Sequence, residues 1–147
     1  MSEKKRKNIF IEGPISPDFI AQSIANHQSK TDVGAHAIFL GQVRADVLND
    51  KTVTAIDYSS YVPMAEEILQ EIREAIFAKY PLTCMHIYHS LGRVDVGQIS
   101  LFVFTSSAHR KEAQDACAEL VERLKAEVPV WGKEILNDDS YIWKENK

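Results

Sequence analysis

His109, Arg110 and Lys111 stand together at the start of what reads as a long helix. A helix N-terminus already carries positive partial charge and unpaired N–H groups, so cations there cost stability and make a site for an anion such as phosphate. Arg44 ends an apolar strand where the chain enters a polar loop, a usual place for a ligand contact, although an ordinary surface arginine has the same signature. Lys125 lies beside the helix's apolar stripe, next to Leu124. From position alone it is a lysine whose stem covers the core edge. Desolvated near other cations, its amine becomes a nucleophile or an acid/base group. Beyond that helix come Trp131 and Lys133, and the tryptophan ring either stacks on a flat ligand or packs in the core.

Other chemistry has less support. His86 and His89 are three apart in a strand, so their side chains point to opposite faces and cannot chelate together; no metal is expected. His36 reads as a hydrogen-bonded core histidine, and Cys84 and Cys117 as small hydrophobes. The chain has no glycine-rich phosphate loop and no paired carboxylates.

The elements that must position these residues follow from periodicity. Ala113, Ala116, Cys117, Leu120, Val121, Leu124 and Val128 recur at three- and four-residue steps, which predicts a helix capped by Ser106 or Ser107 and closed by Pro129. Ser16-Pro17-Asp18 predicts a second helix running to about His27 and burying Phe19, Ile20 and Ile24. A third covers residues 63–79 with the stripe Met64, Ile68, Ile72, Ala75 and Ile76. Strands are expected at 8–12, 34–43, 52–58, 83–89 and 98–104, the second buried and the third returning beside it. Residues 1–7 read as a basic, frayed terminus and 136–147 as a polar tail. The order points to one α+β domain over 1–147, a mostly antiparallel sheet with three helices.

With 147 residues, 45% hydrophobic and 26% charged, the chain has the composition of a soluble globular protein. A net charge of −4 argues against a nucleic-acid coat protein. No apolar run suggests a membrane span or a secretory leader, and unpaired cysteines fit a reducing cytoplasm.

Four segments, GAHAIFLGQVR, YPLTCMHIYHSLGRVDVGQ, FTSSAHR and LKAEVPVWGKE, in this order and spacing across about 33–134, resemble the large, catalytic subunit of molybdopterin synthase. The resemblance implies an α/β hammerhead fold and a sulfurtransferase without a cofactor. A small ubiquitin-like subunit would bring sulfur as a C-terminal glycine thiocarboxylate. Two transfers to cyclic pyranopterin monophosphate would build the molybdopterin dithiolene, in a heterotetramer around a central dimer of large subunits. The cations would hold the phosphate and stabilise oxyanions.

Residue by residue, the resemblance implies substrate contacts at Gln42, Val43 and Arg44, and at His109 and Arg110, with Lys125 as the essential helix lysine. Where the family usually reads Trp-Lys-Lys-Glu, this chain reads Trp131-Gly132-Lys133-Glu134. Lys133 is therefore expected to serve as the second catalytic lysine through a backbone shift that Gly132 permits, with Gly132 and Glu134 beside the substrate. Trp131, Pro129 and Phe39 are expected to wall the partner's tail. A binding module that lost its chemistry, for which Gly132 speaks, and an unrelated small-molecule binder are the competing readings. His109 and Lys125 are sixteen positions apart, roughly 24 Å along an unbroken helix. A pterin phosphate is shorter, so the expected site is shared between two copies of the chain.

Overall fold

The fold, a computed structural model, is described for residues 9–144; the basic segment 1–7 and the last three residues of the tail lie outside the described residues. The sequence Ser16-Pro17 opens α1 (Pro17–His27), with Ser16 Oγ accepting from the Phe19 N–H at 3.1 Å. Val62-Pro63 opens α2 (Val62–Lys79), and α3 spans Arg110–Glu127 without a break. Eight strands complete the chain: β1 (Phe10–Glu12), β2 (Ala35–Gln42), β3 (Val47–Leu48), β4 (Lys51–Ser60), β5 (Leu82–Asp95), β6 (Ile99–Ser107), β7 (Val130–Leu136) and β8 (Tyr141–Trp143). They form one sheet in the order β2-β6-β5-β4-β7-β8; β3 joins β4, and β1 pairs in parallel with β5. All other named pairings are antiparallel, so the fold is α+β as expected.

The two faces of β5 and β6 are covered by different helices. Met85, Ile87, Leu101 and Val103 point to one face, where Leu69, Ile72 and Ile76 of α2 and Leu120, Val121 and Leu124 of α3 bury them. Phe102, Phe104 and Tyr88 point to the other, under Phe19, Ile20 and Ile24 of α1. No described helix is long and apolar enough to cross a membrane.

Several expectations need correction. β2 is not buried throughout: its residues alternate, and Ile38 and Leu40 are exposed because α1 does not reach the sheet's edge. His36 is likewise exposed, though hydrogen-bonded, its Nδ1 2.7 Å from Ser106 Oγ. The strand returning beside β2 is β6, not β4. On α2 the buried stripe is Ala65, Leu69, Ile72 and Ile76, so Met64 and Ala75 fall outside it. Ser106 and Ser107 do not cap α3; both are buried in β6, and His109 is the cap residue without a side-chain bond. The segment after Pro129 is not a loop and polar tail. Val130–Leu136 forms β7, between β4 and β8, whose alternating burial is masked in the sequence by a glycine and two charges, and Tyr141–Trp143 forms β8.

Candidate active site

Four elements converge where α3 ends. The C-terminal end of a helix favours a cation, and Lys125 occupies the last turn of α3. β2 ends beside it in an irregular step at Gly41/Gln42. Val43 then turns inward against Ile56 and Val94, which sends Arg44 outward, where it pairs with Asp46 at 3.3 Å. That ion pair is exposed and therefore weak, so a stronger anion can replace Asp46. β7 and β8 supply the opposite wall, joined by the Lys144 N–H to the Gly132 carbonyl at 2.8 Å.

Between these elements lies a cleft of about 650 Å³, reaching Gln42, Tyr58, His89, Lys125, Trp131, Gly132 and Lys144 over an apolar floor that includes Leu69 and Leu124. It adjoins a second hollow of about 530 Å³ that adds Phe39, Arg44 and Glu134. Both hollows share Gln42, Lys125 and Lys144.

The electrostatics centre on Lys125. Lys125 keeps contact with solvent, yet its partial burial pulls its pKa below the ordinary lysine value; the positive charges of Lys144 and Arg44 act the same way, while Glu122 opposes them. His89, in the same cleft, is held neutral, its pKa pushed down to about 4, chiefly by burial and further by Lys125, against the Ser90 carbonyl. Its Nδ1 lies 2.7 Å from that carbonyl, which only accepts, so Nδ1 carries the proton and Nε2 is the acceptor. Burial also raises the Tyr58 pKa, partly offset by its hydrogen bond to Ser100 Oγ at 3.1 Å, with Glu134 raising it further. The cleft thus combines a lysine whose pKa lies below the ordinary value, a neutral imidazole and a neutral phenol. Such a set of groups can hold an anion and move a proton.

The sequence-derived residues divide into four groups. Gln42, Arg44, Lys125, Gly132 and Glu134 meet at these two hollows, as do Trp131, Pro129 and Phe39. Val43 is 2% exposed and acts as the buried pivot that positions its neighbours. His109 and Arg110 are exposed at the far end of α3. Lys133 is turned away from both hollows: its Nζ sits 4.6 Å from the Tyr141 ring centroid and 5.5 Å from that of Trp143. The cation that faces Lys125 is Lys144, from the segment read as a tail. His89 and Tyr58 were also missed; His89 shares a strand face with buried Met85 and Ile87, the signal that it faces inward.

Fold and cleft together define an α+β domain with a cationic cleft around Lys125. A model of the family described as "MoaE protein" matches residues 12–127. The curated "Molybdopterin synthase catalytic subunit" of Bos taurus is 34% identical over 147 residues, 99% of this chain and 75% of the relative. The Arabidopsis thaliana protein of that name is 39% identical over 82% of this chain and 60% of the relative. Among solved structures, molybdopterin synthase from Staphylococcus aureus superposes with a TM-score of 0.80 at 29% identity, covering 97% of this chain and 99% of that one. The complex of subunits 1 and 2 of molybdopterin-converting factor from Helicobacter pylori superposes at 0.79 over 94% and 90%, with 18% identity, a likeness of fold. The chain belongs to the MoaE family of molybdopterin synthase catalytic subunits.

Proposed function

We propose that this chain is the catalytic half of a molybdopterin synthase in the cytoplasm, transferring sulfur from a small ubiquitin-like partner to cyclic pyranopterin monophosphate. The observation that carries the reading is Lys125, which lines both hollows where they meet and feels the positive charges of Lys144 and Arg44. The partner's C-terminal tail enters along Pro129 and Trp131 and brings its glycine thiocarboxylate to Lys125. The sulfur attacks a side-chain carbon of the pterin, forming the new C–S bond as that carbon's C–O bond breaks, its oxygen leaving on the opening cyclic phosphate at one carbon and as water at the other. Water then adds to the acyl carbon, the acyl–sulfur bond breaks, and the tail leaves as a carboxylate. A second thiocarboxylate repeats the step to complete the dithiolene, and the cyclic phosphate opens. Lys125 holds negative charge as it forms on the acyl oxygen, and its lowered pKa lets it exchange a proton nearer neutrality than an ordinary lysine.

The second cation of the site is Lys144. A Cβ at Gly132 would meet Ile56 Cγ2 at 3.0 Å and would stand in ordinary contact, at 3.6 Å, with Cβ and Cδ of Lys144, so the Lys144 stem runs alongside position 132. This weakens the case that Gly132 marks a binding module without chemistry. His109 and Arg110 reach the substrate from a second copy, since α3 separates them from their own Lys125 by roughly 24 Å. The working assembly is a homodimer of this chain within a heterotetramer.

The test is reconstitution with thiocarboxylated small subunit and the cyclic pterin. Dithiolene product supports the proposal; tight pterin binding without product means a binding module, and neither means another ligand.

A further inference from the structure

On the opposite face of the sheet from the cleft, the last residue of α1 meets β5. His27 Nδ1 lies 2.6 Å from the Ser23 carbonyl oxygen and so donates to it, leaving Nε2 as the ring's lone-pair nitrogen. That Nε2 stands 2.8 Å from Nε2 of His86. Cys84 precedes His86 by two positions in β5, so both side chains leave the same face of the strand. Its thiol is buried, and Sγ receives the Lys30 ammonium at 2.7 Å. One nitrogen from each histidine and the cysteine sulfur lie within 4.8 Å of one another.

We propose that His27, Cys84 and His86 form a binding site for a thiophilic transition metal, zinc(II) first, remote from the sulfur-transfer cleft. Zinc takes imidazole nitrogen at about 2.0–2.1 Å and thiolate sulfur at about 2.3 Å. Tetrahedral angles at those lengths set the donors about 3.3–3.6 Å apart, so the two imidazoles need open by only about half an ångström. Two imidazoles with one sulfur are the donor set that zinc and copper(I) prefer over magnesium or calcium. The Ser23 carbonyl on His27 Nδ1 is the outer-sphere bond that fixes the tautomer and aims Nε2. Phe104, with its ring centroid 4.9 Å from that of His27, gives the site an apolar wall. The sulfur already carries positive charge in the form of Lys30, which is exposed and can withdraw into water as the metal enters. Three protein ligands leave a fourth position for water. The sequence misses the site because His86 was paired with His89, whereas its companions are two residues before it and on another element.

The test uses the full chain, reduced and metal-free, titrated with cobalt(II) and then zinc(II). One equivalent of cobalt should give the near-ultraviolet sulfur-to-cobalt band and intense visible bands of four-coordinate thiolate ligation, and zinc should abolish both. Cys84→Ser should remove the sulfur band, and His86→Ala and His27→Gln should each weaken zinc binding at least about tenfold. Lys30→Ala should tighten it, an effect that adventitious binding at surface histidines does not give. Because His27 lies at a helix end, His27→Gln remains informative if Cys84→Ser disturbs the core. Absence of the sulfur band in the wild-type chain, or zinc affinity unchanged in His27→Gln and His86→Ala, overturns the proposal.

Discussion

The Lys144 side chain runs past Gly132, with its Cβ and Cδ each 3.6 Å from where a Cβ at that position would stand. Lys144, directly after β8, thus lines the cleft beside Gly132. Lys144→Ala should lower turnover about tenfold or more, since it removes a charge-stabilising donor. Lys133→Ala should stay near the wild-type rate, because Lys133 is engaged with Tyr141 and Trp143. Gly132→Lys, placed in the Lys144→Ala background, should restore part of the loss. A dead Lys133→Ala beside a fully active Lys144→Ala would reverse the assignment.

Lys125 should titrate below the ordinary lysine range. Its nitrogen, followed by NMR in selectively labelled protein, should show the lowered pKa. Lys144→Ala and Arg44→Ala should each raise it, because each removes a positive neighbour, yet not fully restore it, because burial is the largest cause. Unchanged titration in both variants would mean that the cations do not act on Lys125.

Stability should fall with acid through His89. Its folded pKa is about 4 against the ordinary 6.5. Below pH 6.5 the unfolded chain takes up a proton that the folded chain refuses, so stability drops between about 6.5 and 4 and this contribution levels off below. The loss reaches at most about 3 kcal/mol. Denaturant midpoints measured from pH 7 to pH 4 should fall less steeply in His89→Gln than in the wild type. Parallel slopes would show that His89 is not held neutral.

Much of the fold and part of the site were legible in the sequence, for identifiable reasons. α1 and α3 announced themselves by the Ser16-Pro17 start and by a run of buried positions from Ala113 to Leu124 that matches the observed stripe. α2 was placed but its stripe was misread, because Met64 and Ala75 are apolar without being inward. β7 was hidden because Gly132, Lys133 and Glu134 break the apolar alternation of a strand that neighbours protect on both sides. Lys144 was hidden for a related reason. Spacing along the chain says nothing of β8 folding back on β7, and only that hairpin brings Lys144 to Lys125. His27 and His86, 59 positions apart, meet only through packing.

Gly34 lies against the carbonyl oxygen of Ala108, which leaves no room for a Cβ, and its N–H bonds the Ser107 carbonyl at 3.0 Å. Gly34→Ala should therefore cost about 1–3 kcal/mol by forcing the backbone apart. The displaced segment leads into His109 and Arg110, so substrate affinity should weaken as well. A variant of wild-type stability, judged by thermal melting, would show that this approach is looser than described.

A working site built from two chains, Lys125 with Arg44 from one and His109 with Arg110 from the other, should show complementation between two inactive variants. Lys125→Ala chains and His109→Ala/Arg110→Ala chains, each inactive alone, are mixed and allowed to exchange, and dithiolene product is measured per mixed dimer. The mixed dimer has one doubly damaged site and one intact site, so about half the wild-type activity should return. If mixed dimers form and make no product, the site lies within one chain and the shared-site account is wrong.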